Sequence, residues 1–401
     1  MSSVNAEGRL EIVVVGPGFH FLSGLSAYTC TLANELSREH NVSVLLLRRV
    51  IPRRLYPTTR RSPNAGTVLR YGNSITRIGE LDWYWFPGLW GALTRLRSTR
   101  PNLVVLQWWT AATLHTYILV ALFARALGIR VAVEFHETQD TSEASIFGVG
   151  LYCRRGMPLL LSLAHGAVVH NQHDLQLLRT TFGSRVFDRL DIETAPHGPY
   201  THIAGRSVEF ADSHDCPATH DSPATHDSRS GTTRLLFFGL IRPYKGLDDL
   251  LVAFNQLNAE QAAQFHLTIV GETWENWQTP AALIAASPHR RHITFVNRYV
   301  SDTEADQFFR DADVVVLPYR RASASGPLQI AMHAGLHVVL YAVGGLVEAT
   351  RTYEGTHLVE PDNVDALRRT LISIPPDRHR RFTDHTSWST TLRGIERLAR
   401  S

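Results

Sequence analysis

The stretch from Ala312 to Glu348 limits what this chain can fold into more than any other. Ala312 to Pro318 is a β-branched, apolar run, the pattern of a parallel strand buried on both faces. Ser323-Ala324-Ser325-Gly326-Pro327 follows as a small-residue turn, with proline where a helix start favours it. Leu328 to Ala334 predicts the next helix, and Gly335 its C-terminal stop. A second strand, His337 to Tyr341, runs into Gly344-Gly345 and Glu348. Strand, turn, helix and strand in this order are half of a doubly wound sheet. The turn leaves backbone N–H groups at the crevice where such sheets hold phosphates.

The rest of the chain repeats that rhythm. At 401 residues it exceeds one ordinary core, so two domains are expected. Leu10 to Val15 predicts the first strand, running into Gly16-Pro17-Gly18 and a loop with His20, Ser23 and Gly24. A helix over Leu25 to Leu36 and a strand over Val42 to Leu47 complete a βαβ unit. It lacks the third glycine of a dinucleotide fingerprint, and Arg48 and Arg49 stand where an acid would end the second strand, which argues against a nicotinamide cofactor. Val104 to Gln107 predicts a strand with Trp108-Trp109 at its C-terminal end, where such sheets place ligands, so both are candidate acceptor contacts. Val131 to Phe135 ends in His136-Glu137, and Ala167 to His170 ends in Asn171. Order resumes with the strand into Gly239, then Arg242, Lys245 and Gly246, a helix from Leu247, and a strand closed by Gly271-Glu272. Ile293 to Val296 predicts a further strand and Thr303 to Arg310 a helix. Strand, polar tip and helix in repetition mean parallel sheets covered on both faces.

Between these halves the composition collapses. Asp215 to His220 is nearly duplicated by Asp221 to His226, so His214, His220 and His226 recur at one period. Metal binding has to be weighed there, but Pro and Ser cannot build a core, and a flexible linker is expected. The expected division is 1–205, a linker over 206–232, 233–375, and a basic, helical 376–401 that packs back on the first domain. A net charge of +3 is too small to argue for nucleic acid. Arg48, Arg49, Arg53, Arg54, Arg60, Arg61 and Arg70, however, span a segment with no acid, suited to anionic headgroups or a pyrophosphate acceptor. Cys30, Cys153 and Cys216 are too scattered for a disulfide framework or zinc site, and no signal peptide or membrane span is read. The expected location is the cytoplasm, or the inner face of its membrane.

These residues together resemble the GT-B glycosyltransferases, in their sugar-nucleotide-using GT4-type branch. Gly239 to Gly246 resembles that family's strand–glycine–basic–Lys-Gly loop, Val270-Gly271-Glu272 its next strand end, and Gly344-Gly345 with Glu348 its late glycine pair and acid. Gly16 to Gly24 resembles the acceptor-side glycine loop, and His136 the histidine that approaches the donor sugar. The resemblance implies two Rossmann-like domains facing across a cleft and transfer of a hexose from a nucleotide sugar to a saccharide or lipid-linked acceptor. It implies catalytic roles for His136, Arg242 and Lys245. Donor contacts would come from Gly16, Gly18, Gly239, Gly271, Glu272, Ser323, Ser325, Gly326, Gly345 and Glu348. His20, Ser23, Gly24, Trp108 and Trp109 would face the acceptor. Two family carboxylates are missing, since Ala322 and Ile330 occupy their positions, and Leu240 replaces the arginine after the first glycine.

The expected chemistry follows from charge. A leaving diphosphate gathers negative charge, which Arg242, Lys245 and the Ser325–Gly326 amides would stabilise without a metal. The resemblance implies retention, with the donor phosphate itself taking the acceptor's proton. Inversion would need a base, for which His20 and then Asp140 are candidates. A non-catalytic binding protein and a sugar-nucleotide epimerase are the alternatives.

Overall fold

The computed structural model describes residues 8–19, 24–50, 69–85, 88–137, 148–199, 231–374 and 381–401. Two parallel sheets organise them. The first has the order β3-β2-β1-β4-β5-β6-β7, from β1 (Glu11–Pro17), β2 (Asn41–Arg49), β3 (Thr76–Asp82), β4 (Leu103–Trp108), β5 (Arg130–Phe135), β6 (Gly166–Val169) and β7 (Asp191–Thr194). The second has the order β10-β9-β8-β11-β12-β13, from β8 (Thr233–Phe238), β9 (Phe265–Val270), β10 (Ile293–Val296), β11 (Val314–Leu317), β12 (His337–Tyr341) and β13 (Thr356–Val359). This is the two-sheet α/β arrangement expected from the strand–helix rhythm.

The central strands are buried on both faces, as their unbroken apolar runs require. Along β1 the side chains alternate between two cores: Val13 and Val15 face one, Ile12 and Val14 the other. Onto the Val13 side pack α2 (Gly88–Thr99), α3 (Leu114–Ala126), α4 (Val149–Leu163) and α5 (Gln172–Phe182). The opposite side takes α1 (Gly24–Leu36) and, from the far end of the chain, α11 (Ser389–Arg400), whose Ile395 and Leu398 are buried beside β5 to β7. Arg397 of α11 pairs with Glu193 of β7, and Arg130 donates to the Leu398 carbonyl at 2.6 Å.

In the second half, α6 (Leu247–Asn255), α7 (Asp302–Asp311), α8 (Gly326–His333) and α9 (Gly344–Ala349) connect strands, and α10 (Val364–Ser373) follows the last of them. Ser301 caps α7 with a reciprocal Glu304 box. Gly335 ends α8 at φ 72°, where a side chain would be strained. The edge strands β3 and β13 are not foreseen from sequence. TRIGELD and THLV are half-exposed and carry polar or charged residues, so their apolar signal is diluted.

Candidate active site

Three loops meet at the C-terminal ends of the second sheet. β8 runs into Gly239 at φ 114°, and β9 into Gly271 at φ 146°. A Cβ on Gly271 would lie 1.9 Å from the Gly239 carbonyl oxygen, so only glycine allows these two strand ends to touch. A Cβ on Gly239 would in turn lie 3.4 Å from both Lys245 Nζ and Pro327 Cγ. The strand–glycine loop, the lysine and the start of α8 are therefore one locus. Gly246, at φ 64°, turns the chain into α6, with the Pro318 carbonyl where a side chain would sit.

Lys245 is the half-buried cation of this locus, its Nζ 4.9 Å from the Tyr319 ring centroid. Burial works against its charge, but Tyr319, Tyr244 and Glu137 more than offset that, and its pKa stands above the ordinary lysine value. Glu137 belongs to the first half of the chain, so the charge of Lys245 is felt across the cleft. At the start of α8, Ser325 turns its hydroxyl onto the Leu328 amide at 3.3 Å, and Pro327 has no N–H. The first-turn donors without an intrahelical acceptor thus narrow to those at Ser325 and Gly326.

Arg242 differs from expectation. Its guanidinium is buried and paired with Glu275, at 2.9 Å from Nε and 2.8 Å from a terminal nitrogen, and lies over Tyr244 and Trp274. The expected open phosphate fork is an internal ion pair, because a buried guanidinium needs a counter-charge. Glu272 accepts from the Trp274 indole at 3.4 Å. Ile330 is buried and Ala322 gives its carbonyl to the Gly345 amide at 3.0 Å, so neither position offers a carboxylate. The residue beside Ile330 is a feature that sequence reasoning missed. Gln329 is buried with its Oε1 unpartnered, a costly state that a bound hydroxyl would relieve.

Three expected donor contacts instead join the two halves. Asn171 Nδ2 donates to the Ser323 carbonyl at 3.0 Å, and Glu348 accepts from the Gln172 amide at 2.9 Å, at the N-terminal end of α5. A Cβ on Gly345 would collide with Ser323 O at 2.0 Å and Asn171 Nδ2 at 2.3 Å. Gly344 makes room for the Ala322 carbonyl at 2.1 Å in its own half, so only Gly345 of the pair admits a group from across the cleft.

In the first half, Gly16 and Gly18 are likewise explained by packing. Added Cβ atoms would meet Thr29 Oγ1 at 2.7 Å and Leu46 Cβ at 2.8 Å. Trp108 is wholly buried in the first sheet's core and does not present a face to an acceptor; Trp109 is half-buried. Gly24 is exposed at the first residue of α1. His20, Ser23 and Asp140 lie outside the described residues, as do 51–68 of the arginine segment and 200–230, which hold the histidine repeat. Arg48, within the described part, pairs with the buried Asp82 at 2.5 Å.

His136 is also more committed than expected. Its Nε2 faces Gln107 Oε1 at 2.5 Å and its Nδ1 faces His170 Nε2 at 3.3 Å. His170 Nδ1 must donate to the Ala195 carbonyl at 3.1 Å, while Gln107 Nε2 and Tyr28 Oη both approach Glu134 at 2.5 Å. Counting protons along this chain decides where they sit. If His136 donates to Gln107, the two facing imidazole nitrogens are bare unless one ring is an imidazolium. Burial opposes that: it pushes His136 well down, His170 down to about 4 and His197 to about 3, and raises Glu134 to about 7. The proton therefore belongs on Glu134, with the Gln107 amide turned to accept from it and to donate to His136. Glu134, His136 and His170 are also the described residues whose ligand atoms lie within 4.8 Å of one another, as a metal would need. One shared proton satisfies the same geometry. Tyr28 sits at the centre, its ring 4.6 Å from His136, 4.3 Å from His197 and 5.0 Å from Trp388.

Comparison with known proteins fits this architecture. No curated protein sequence matches. Residues 232–375 match the family described as Glycosyl transferases group 1. Among solved structures, sucrose-phosphate synthase from Thermosynechococcus elongatus aligns over 97% of this chain and 94% of its own, at 17% identity and TM-score 0.58. The catalytic domain of starch synthase IV from Arabidopsis thaliana, bound to ADP and acarbose, aligns over 98% and 99%, at 12% identity and TM-score 0.62. An α,α-trehalose-phosphate synthase (UDP-forming) from Burkholderia xenovorans, in complex with glucose-6-phosphate, aligns over 97% and 96%, at 13% identity and TM-score 0.59. The chain thus has the GT-B fold, and its residues 232–375 match the glycosyl transferases group 1 family.

Proposed function

We propose that the chain transfers a hexose from a nucleotide sugar to a saccharide or lipid-linked acceptor, with retention and without a metal at the diphosphate. The carrying observation is Lys245, a half-buried cation held against Gly239, Pro327 and Tyr319 beside the Ser325–Gly326 amides. A diphosphate there would be met by one full charge, a helix end and backbone donors, which stabilise a leaving anion most where water is excluded. Arg242 adds positive potential through its Glu275 pair rather than by a free fork. Gln329 is the proposed contact for a nucleotide hydroxyl in place of the carboxylate absent at Ile330. His136 would meet the sugar only by releasing Gln107 or His170. Similar folds bind ADP with acarbose, or glucose-6-phosphate, which supports a nucleoside diphosphate and a sugar as ligand classes.

Cytoplasmic work agrees with Cys30 and Cys153, which are free and buried. Among the described residues no helix is long and apolar enough to cross a membrane. Arg48 to Arg70 is the proposed contact for an anionic surface or acceptor.

The test is a mass-spectrometric screen of nucleotide sugars for binding, then turnover of the bound one with and without acceptors. Release of nucleoside diphosphate and a product whose anomeric proton keeps its configuration by NMR is expected. Binding without any release would favour a non-catalytic partner, the reading that Ala322 and Ile330 support. An altered sugar on free nucleotide release would point to an epimerase.

A further inference from the structure

Helices α2, α3 and α4 lie side by side on one face of the first sheet, and their outer surface is not one suited to water alone. α3 reads LHTYILVALFARA, apolar nearly all round, a pattern normally covered on both sides. Its inner stripe is buried, yet Leu122 is exposed and Ile118 and Phe123 are only half-buried. The apolar surface continues on both flanks. Trp90 of α2 is 80% exposed, Leu151 of α4 is 57% exposed, and Tyr152 and Leu159 are open beside it. Trp85, 53% exposed, meets the His115 ring at 5.8 Å, and His115 Nδ1 bonds Tyr152 Oη at 2.8 Å, which joins the flanks into one patch.

Charge distinguishes this patch from a simple gap in packing. No Asp or Glu occurs between Asp82 and Glu134, and none within α4. The three helices expose Arg95, Arg97, Arg125, Arg154 and Arg155 and carry no acid of their own.

We propose that this face docks on an anionic lipid surface. Helices that lie in a membrane interface combine arginine or lysine with Trp and Leu in this way, and Trp and Tyr settle where one end is apolar and the other wet. A second copy of the chain is the rival occupant. A two-fold contact would bring the arginine sets of two copies together with no acid on the three helices themselves to answer them, which opposes it. α3 and α4 start from the C-terminal ends of β4 and β5, the same side on which the cleft opens, so docking would bring the cleft to the lipid. The inference rests on residues apart from Arg48 to Arg70 and does not depend on which sugar is transferred.

The experiment is co-sedimentation of the full chain with phosphatidylcholine vesicles, with and without phosphatidylglycerol. Binding that requires the anionic lipid and weakens with salt is expected. Arg154→Glu with Arg155→Glu should lower partitioning at least tenfold, from about fivefold per arginine lost near such a surface. Trp90→Ser with Leu151→Ser should lower it as well, with circular dichroism unchanged. Arg369→Glu with Arg393→Glu, on other exposed helices, should leave it as it was. No binding by the unaltered chain, or equal binding by both patch variants, overturns the proposal. So does a dimer in light scattering that Trp90→Ser with Leu151→Ser dissociates while vesicle binding is absent.

Discussion

The glycines that follow β1 and those that follow β8 and β9 look alike in sequence and have different causes. Gly16 and Gly18 have ordinary backbone angles and make room for Thr29 and Leu46. Gly239 and Gly271 have φ of 114° and 146°, and shape main chain around Lys245. The first pair serves packing, Gly16 against α1 and Gly18 against β2; the second forms a backbone-lined seat with a cation in it. Glycine at a strand end is thus a weak sign of a ligand until its dihedral and neighbours are known.

The largest expected effect falls on the second half. Lys245→Met should lower transfer by roughly a hundredfold or more, through lost stabilisation of the leaving group. Gly16→Ala should act mainly on stability, leaving turnover per folded molecule within severalfold. Equal loss of turnover in both, with both folded, would erase the contrast drawn here.

The buried network of the first half makes a prediction about pH. Glu134 stands near 7 in the fold against an ordinary 4.5, so the stability it contributes is present at low pH and is lost as pH rises through about 7. That loss is of order 3 kcal/mol, at about 1.4 kcal/mol per unit. His136, His170 and His197 are depressed, so the unfolded chain takes up protons below 6.5 that the fold refuses, and stability falls as pH drops from there. Between 4.5 and 6.5 the two effects oppose each other and three histidines outweigh one carboxyl, so melting temperature should climb as pH rises and level off near 7. Glu134→Gln should lift the alkaline side and leave the acid side in place; a curve unchanged on both sides would remove Glu134 from this role.

Gly271→Ala should cost about 1–3 kcal/mol through strained φ, and more if the Gly239 carbonyl cannot move. Nucleotide affinity should fall with it. Thermal melts with and without nucleoside diphosphate separate the two effects, and a variant that melts and binds normally would show the seat to be tolerant. The smallest effect is at the link between the halves. Glu348→Ala removes the acceptor for the Gln172 amide, a loss of about 1 kcal/mol or less at an exposed helix end. Hydrogen exchange at the start of α5 should quicken without change at Lys245.

Much of the fold was legible in sequence because its central strands are unbroken apolar runs with glycine or polar tips. The edges β3 and β13 were not, since half-exposed strands carry a mixed pattern. At the site, Lys245 and the α8 turn could be read because glycine, lysine and proline fall at fixed offsets from a strand. The Arg242–Glu275 pair could not, because Glu275 lies in a later loop with no periodic signal. Nor could the engagement of His136, whose partners Gln107 and His170 come from neighbouring strands and meet only when the sheet forms. Trp108 shows the converse error: a strand end in sequence was core in space.

Calorimetric titration of UDP and ADP into the unaltered chain and Lys245→Met tests the central claim most directly. At least one nucleoside diphosphate should bind the unaltered chain, and Lys245→Met should weaken it by roughly a hundredfold, while Gly16→Ala binds as before. Equal affinity in the unaltered chain and Lys245→Met would mean that Lys245 does not hold the diphosphate.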